Sequence, residues 1–146
     1  VIKMAFPKSK IIHMQRNPID TCFSIYKSYF PNETCGYAYS QENVAKYYNL
    51  YKKFMDFWND ILSNQIYTCK YENLVSDNKN EVEKIIEFLE LKWEDSLTKF
   101  DENKRRVLTV STNQVRKKVY TSSINKWENY SINLKTIQKI LGQNLD

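Results

Sequence analysis

The sequence predicts an α/β fold with a helical, irregular C-terminal part, and three observations lead there. Two short β-branched and aromatic runs, residues 10–15 and 66–71, are each followed by a helical pattern. A long amphipathic stripe lies between them, and clean periodicity is absent from 101 to 120 before helical spacing returns. A chain of 146 residues is about one domain, and its 42% apolar and 14% aromatic content suffices for a packed core.

The elements follow in order. Residues 1–15 open on Val1 and read as the tail of something already under way, so a fragment is expected. Pro7-Lys8-Ser9 reads as a turn before the first strand. Arg16-Asn17-Pro18-Ile19-Asp20 is then a helix start: Asn17 can cap, Pro18 suits the first helical position, and Asp20 sits where a capping-box acid belongs. That helix is expected to run to about Phe30, where Pro31-Asn32 breaks it. Cys35-Gly36 and the residues up to Ser40 read as a loop. Ser40 opens a long helix to about Leu62, with Val44, Tyr48, Tyr51, Met55, Trp58 and Leu62 as a core-facing stripe.

The second strand, 66–71, leads into a short helical turn over 72–75. Asp77 or Asn78 then caps a helix carrying Val82, Ile85, Ile86 and Leu89. Trp93, Leu97 and Phe100 predict one further short helix. Residues 125–130 and 134–141 look helical, with Gly142 as a C-terminal stop.

Composition removes several kinds of chemistry. No stretch approaches the roughly 20 apolar residues of a membrane span, and no basic segment followed by an apolar one marks a signal peptide. Two glycines, Gly36 and Gly142, exclude a glycine-rich phosphate loop within these residues. One histidine and three scattered cysteines exclude the usual zinc sites, so no metal is expected. The odd cysteine count favours a reducing compartment. Net charge is +5, and the window 99–118 carries a charge of that size by itself, which makes an anionic partner plausible.

Chemistry concentrates where the first strand meets its helix. A helix N-terminus presents unsatisfied backbone N–H groups and the positive end of the dipole, and Arg16 adds a planar charged fork suited to phosphate. Ser24, eight residues on and about 80° further round, can present a hydroxyl to the same anion. The bland alternative pairs Arg16 with Asp20 and makes Ser24 a small helix residue. The residues alone leave these two readings level.

The run from His13 to Ser24, His-Met-Gln-Arg-Asn-Pro-Ile-Asp-Thr-Cys-Phe-Ser, resembles the 3′-phosphate-binding segment of sulfotransferases that use 3′-phosphoadenosine 5′-phosphosulfate (PAPS). Tyr71-Glu72-Asn73-Leu74 is similar to that family's Tyr-Glu-x-Leu. Residues 111–120, Ser-Thr-Asn-Gln-Val-Arg-Lys-Lys-Val-Tyr, followed by Ser122-Ser-Ile-Asn-Lys-Trp127, resemble the C-terminal cofactor loop of tyrosylprotein sulfotransferases and of bacterial sulfotransferases that often carry tetratricopeptide repeats.

The resemblance implies the C-terminal portion of a P-loop-NTPase-like sulfotransferase fold, with short parallel strands and flanking helices. Residues 1–146 would be part of one domain whose 5′-phosphosulfate loop is absent from this chain. It implies that Arg16 and Ser24 bind the donor's 3′-phosphate and that Tyr71 lies near the adenosine. Ser111, Thr112, Gln114, Val115, Arg116, Lys117 and Tyr120 would wrap the nucleotide, and Lys126 would reach its phosphates. Ser111 would also lie near the transferring sulfuryl group. The implied reaction is metal-free in-line transfer from PAPS to a hydroxyl acceptor, peptide tyrosine among the candidates, leaving 3′-phosphoadenosine 5′-phosphate.

Two departures stand out. The 5′ loop and the usual Glu or His base are missing, so the isolated chain is expected to be inactive. Ser28 also stands where tyrosylprotein sulfotransferases place another arginine. His13 reads as a packed strand residue, Cys22 as a small core residue, and Trp127 as an anchor for the last helix. The cysteine usage points to a cytoplasmic enzyme, and the resemblance implies a Golgi-lumen one on the eukaryotic tyrosylprotein branch, without a nucleic-acid partner. The competing reading is a non-enzymatic basic module for nucleic acid or other polyanions, with Tyr120 and Trp127 stacking. A degenerate relative that keeps the fold for interaction alone is a third.

Overall fold

The computed structural model of the chain describes residues 1–30, 33–98 and 123–142. In chain order the elements are α1 (Ile2–Ala5), β1 (Ile11–Gln15), α2 (Pro18–Tyr26), α3 (Gln41–Ile61), β2 (Ile66–Lys70), α4 (Tyr71–Ser76), α5 (Asn78–Phe88) and α6 (Lys135–Gly142). Turns of 3₁₀ helix cover Glu33–Tyr39, Asp95–Thr98 and Lys126–Leu134. The described residues fall into two compact units, 1–15 with 65–98, and 16–30 and 33–64 with 123–142.

The first unit holds the sheet. β1 and β2 pair in parallel, with Ile11 opposite Ile66 and Gln15 opposite Lys70. The fold is thus mixed α/β with a short two-stranded parallel sheet among the described residues, as the sequence predicts at the level of class. Tyr71, expected as the last strand residue, instead opens α4, because the partner strand ends at Gln15 and offers no further ladder. The single turn α1 was not expected. Lys3 there donates from Nζ to the Pro7 and Ser9 carbonyls, closing the turn at Pro7-Lys8.

Helix α5 packs on β2 through a buried polar contact. The Tyr67 hydroxyl donates to Glu81 Oε1 at 2.9 Å, and Lys84 Nζ lies 3.6 Å from Oε2. Glu81 is only 4% exposed, so these partners offset the cost of burying its charge. Lys10 donates to the Phe88 carbonyl at the end of α5, where a cation favours the helix dipole. Asp77, not Asn78, caps α5, accepting from the Asn80 N–H at 3.4 Å. The last helix predicted here is a 3₁₀ turn over Asp95–Thr98. Trp93 precedes it and donates from Nε1 to Asp95, and Phe100 lies outside the described residues.

The second unit is helical. Cys22 and Phe23 of α2, Val44, Ala45 and Tyr48 of α3, and Leu134, Ile137 and Leu141 near the C-terminal end form one core. Each fully buried aliphatic side chain contributes about 1.5–3 kcal/mol. Gln41 and Asn49 add side-chain bonds from α3 to the Asn133 and Ile140 carbonyls. The α3 stripe is covered along its first half only: Val44 and Tyr48 are buried, whereas Trp58 is 44% exposed. The reason is length, since α2 has 9 residues and α6 has 8 against the 21 of α3.

Helix α2 stops at Tyr26 instead of Phe30. Ser28 N–H reaches back three residues to the Ile25 carbonyl, tightening the last turn, and the Tyr39 hydroxyl bonds both the N–H and the carbonyl of Phe30. The residues read as a loop from Cys35 are 3₁₀ turns over Glu33–Tyr39, broken at Cys35. The C-terminal helical reading holds in part: residues 126–134 are 3₁₀ and not α-helical, and Gly142 is the last residue of α6 and not its stop. Among the described residues no helix is long and apolar enough to cross a membrane.

Candidate anion-binding site

The start of α2 does not offer an empty cradle of amides. Asn17 accepts from the N–H groups of Ile19, at 2.9 Å, and Asp20, at 3.1 Å, while Thr21 N–H bonds the Asn17 carbonyl. Pro18 has no N–H to give. The expectation of unsatisfied first-turn amides is therefore corrected: a good N-cap has consumed them. Any anion held here depends on side chains.

Those side chains are organised by Asp20, which is 1% exposed. Its Oδ2 accepts from the Asn125 N–H at 2.8 Å and its Oδ1 from the Trp127 N–H at 3.1 Å. Asp20 thus does more than a capping-box acid: it fastens α2 to the start of the Lys126–Leu134 segment. Arg16 Nη2 donates to the Ser123 carbonyl and lies 3.8 Å from Asp20 Oδ2. The Arg16–Asp20 pair of the bland reading exists, and it sits inside a larger arrangement. Tyr48 steadies the Arg16 backbone by donating to its carbonyl at 3.4 Å.

Lys126 lies between the two residues whose amides Asp20 binds, so the structure brings Arg16 and Lys126 to one region of the second unit. Ser24 lies on α2 in the same unit and is half-buried. Its hydroxyl makes no hydrogen bond among the described residues. Lys126 is exposed and has no ion pair among them.

The sequence reading missed Lys27. It lies just past α2, seven residues after Asp20, which returns it to within about 20° of the Asp20 direction. Its ammonium sits over the Phe23 ring, 5.2 Å from the centroid, and Phe23 in turn packs against Tyr130 at 4.8 Å. Burial lowers the Lys27 pKa, the charges of Lys126 and Arg16 lower it further, and Asp20 opposes them. Helical phase was the available signal, since Lys27 keeps the phase of Asp20 whether α2 ends at Tyr26 or runs to Phe30.

Other expected site residues fall elsewhere. Tyr71 opens α4 in the first unit and is half-buried. Ser111, Thr112, Gln114, Val115, Arg116, Lys117 and Tyr120 lie outside the described residues, as does the basic window. His13 is half-buried on β1, its Nδ1 3.4 Å from Thr68 Oγ1, and burial lowers its pKa, in keeping with a packed strand residue. Cys22 is fully buried in the core as read, and Trp127 packs against that core. Among the described residues no three His, Cys, Asp or Glu side chains converge as a metal site requires.

A family model described as the sulfotransferase family matches residues 1–95, a span that contains Arg16, Ser24 and Tyr71. The chain belongs to the sulfotransferase family. It is also 34% identical over 143 residues to an uncharacterized protein of Aquifex aeolicus (strain VF5). That match takes in 97% of this chain and 19% of the relative, so the chain spans about a fifth of that protein's length.

Proposed function

We propose that the protein is a sulfotransferase that uses PAPS as donor and a hydroxyl as acceptor, this chain supplying the donor's 3′-phosphate side. The observation that carries this reading is the joining of Arg16 to the Lys126 segment through the buried Asp20 carboxylate. It gathers two cations far apart in sequence beside a helix that also presents Ser24. Side-chain cations beside the Ser24 hydroxyl suit a phosphate monoester dianion.

In this reading Arg16 holds the 3′-phosphate with its fork, Ser24 donates from its hydroxyl, and Lys126 contributes point charge. Asp20 is a positioning residue that touches no ligand. Tyr71 is assigned to the adenosine, and Ser111 to the sulfuryl group, on the family resemblance. The bound donor supplies an activated sulfuryl group. An acceptor O–S bond forms as the bridging O–S bond to the 5′-phosphate breaks, and the acceptor proton passes to a general base outside these residues. The cations on the 3′-phosphate hold the nucleotide, and holding it sets the line of attack at the sulfuryl group. The reading extends to a P-loop-like fold, a cytoplasmic location and peptide tyrosine as one acceptor to try.

The test is calorimetric titration of the full-length protein with 3′-phosphoadenosine 5′-phosphate against 5′-AMP, with Arg16→Ala beside it. A preference for the bisphosphate that vanishes in the variant supports the reading. Equal, salt-sensitive binding of every anion would replace it with a polyanion-binding module.

A further inference from the structure

We infer that Lys27 is a third cationic contact to the 3′-phosphate, completing a cluster with Arg16 and Lys126; this rests on the donor-site reading above. The geometry starts from α2. Asp20 and Lys27 lie within about 20° of each other around the helix axis, and Ser24 is three residues before Lys27, a neighbour on the helix surface. The side chain folds back over Phe23, with Nζ 5.2 Å from the ring centroid. Phe23 contacts Tyr130, one turn beyond Lys126 in the segment that Asp20 fastens to α2. The side chain therefore lies back along α2 over Phe23, and Lys27 remains exposed, open to a ligand.

Charge arithmetic favours an anionic occupant. Arg16, Lys27 and Lys126 place three cations around one carboxylate, Asp20, which is already engaged by two backbone amides. Neither Lys27 nor Lys126 has an ion pair among the described residues. Burial first, and then the charges of Lys126 and Arg16, lower the Lys27 pKa, so the three cations stand close enough to feel one another. Lys27 and Lys126 are exposed and Arg16 is half-buried, so the cluster presents two positive charges beyond Asp20 to a ligand, and a phosphate monoester at neutral pH carries up to two negative charges. A sulfate ester or a carboxylate would neutralise only one.

A purely structural role for Lys27 has its own logic: a lysine at a helix C-terminus is favoured by the dipole, and its stem covers an aromatic ring. The two roles separate experimentally. Lys27→Met keeps an apolar stem over Phe23 and removes the charge; Lys27→Gln is the second variant should the first fold poorly, and Lys27→Arg restores the charge. Each is titrated in the full-length protein with 3′-phosphoadenosine 5′-phosphate and with 5′-AMP, with thermal melting in parallel. The expected result is a loss of about tenfold or more in bisphosphate affinity in the neutral variants, with 5′-AMP binding unchanged and recovery in Lys27→Arg. Unchanged bisphosphate affinity in the neutral variants would overturn the inference, and so would equal weakening of both ligands. If Lys27 fails while Arg16→Ala still abolishes the bisphosphate preference, the donor-site reading stands without it. Absence of that preference in the unaltered protein would remove both.

Discussion

The backbone N–H of Trp127 donates to Asp20 Oδ1 across 3.1 Å, joining residues 107 apart in the sequence. With the companion bond from Asn125, this fixes both carboxylate oxygens of a residue that is almost wholly buried. An aspartate in the first turn of a helix is commonplace, but one that ties that turn to a distant segment sets where neighbouring cations stand. Asp20→Ala is expected to destabilise the protein by about 3 kcal/mol, because two amides and Arg16 lose their acceptor in a desolvated place. Asp20→Asn retains one acceptor oxygen and should lose less. Urea unfolding of both variants checks the order, and equal stability of Asp20→Ala and the unaltered protein would refute it.

In the first unit the comparable contact is Tyr67 to Glu81. Tyr67→Phe keeps the ring against Phe88, 5.5 Å between centroids, and removes only the hydroxyl that donates to the carboxylate. A lost hydrogen bond to a charged, buried acceptor predicts a cost of about 2 kcal/mol. Chemical denaturation would show it as a lower midpoint with an unchanged slope.

Alkaline pH should weaken the fold. Burial pushes the Cys22 thiol up to about 12, and burial with the nearby Glu81 pushes Cys69 to about 11 and Tyr67 to about 12. In each case the folded state holds a proton that the unfolded chain releases earlier. Their contribution is complete below the unfolded values near 9 for cysteine and 10 for tyrosine, and is lost as pH rises toward the folded values. Lys27 acts in the opposite sense, since its lowered pKa makes the folded state release its proton first. The three raised groups outnumber it, so denaturation midpoints should fall between neutral pH and about pH 10.5. A rising midpoint over that range would contradict this.

Thiol labelling should separate the three cysteines. Cys22 and Cys69 are buried, and Cys35 is half-exposed on the Glu33–Tyr39 turns. Reaction requires an accessible thiolate, so iodoacetamide should modify Cys35 in the folded protein and reach the other two only on unfolding. Peptide mass mapping after short exposure reads the order directly.

Much of the local structure was legible beforehand. Asn17 and Ser40 cap the helices that follow them, Pro18 occupies the first position of α2, and the two strands lie within a residue of their expected limits. These are short-range effects, decided by one side chain and the few backbone groups within its reach. What the sequence concealed depends on partners. Tyr71 turned helical because the neighbouring strand had ended, and Trp58 stayed exposed because the helices covering α3 are short.

The candidate site divides along the same line. Arg16, Ser24 and Lys126 were identified from motifs, which specify residue types at spacings along one chain. That Asp20 would bind the amides on either side of Lys126, and that Lys27 would fold back over Phe23 instead of extending from α2, depends on which distant segment packs there. By itself the sequence determined the α/β class, the starts of α2 and α3 and the identity of the basic residues, because propensity, capping and charge are local properties. Tertiary structure alone decided that a buried carboxylate joins the start of α2 to the Lys126 segment, because hydrogen bonds between segments some hundred residues apart leave no periodicity to read.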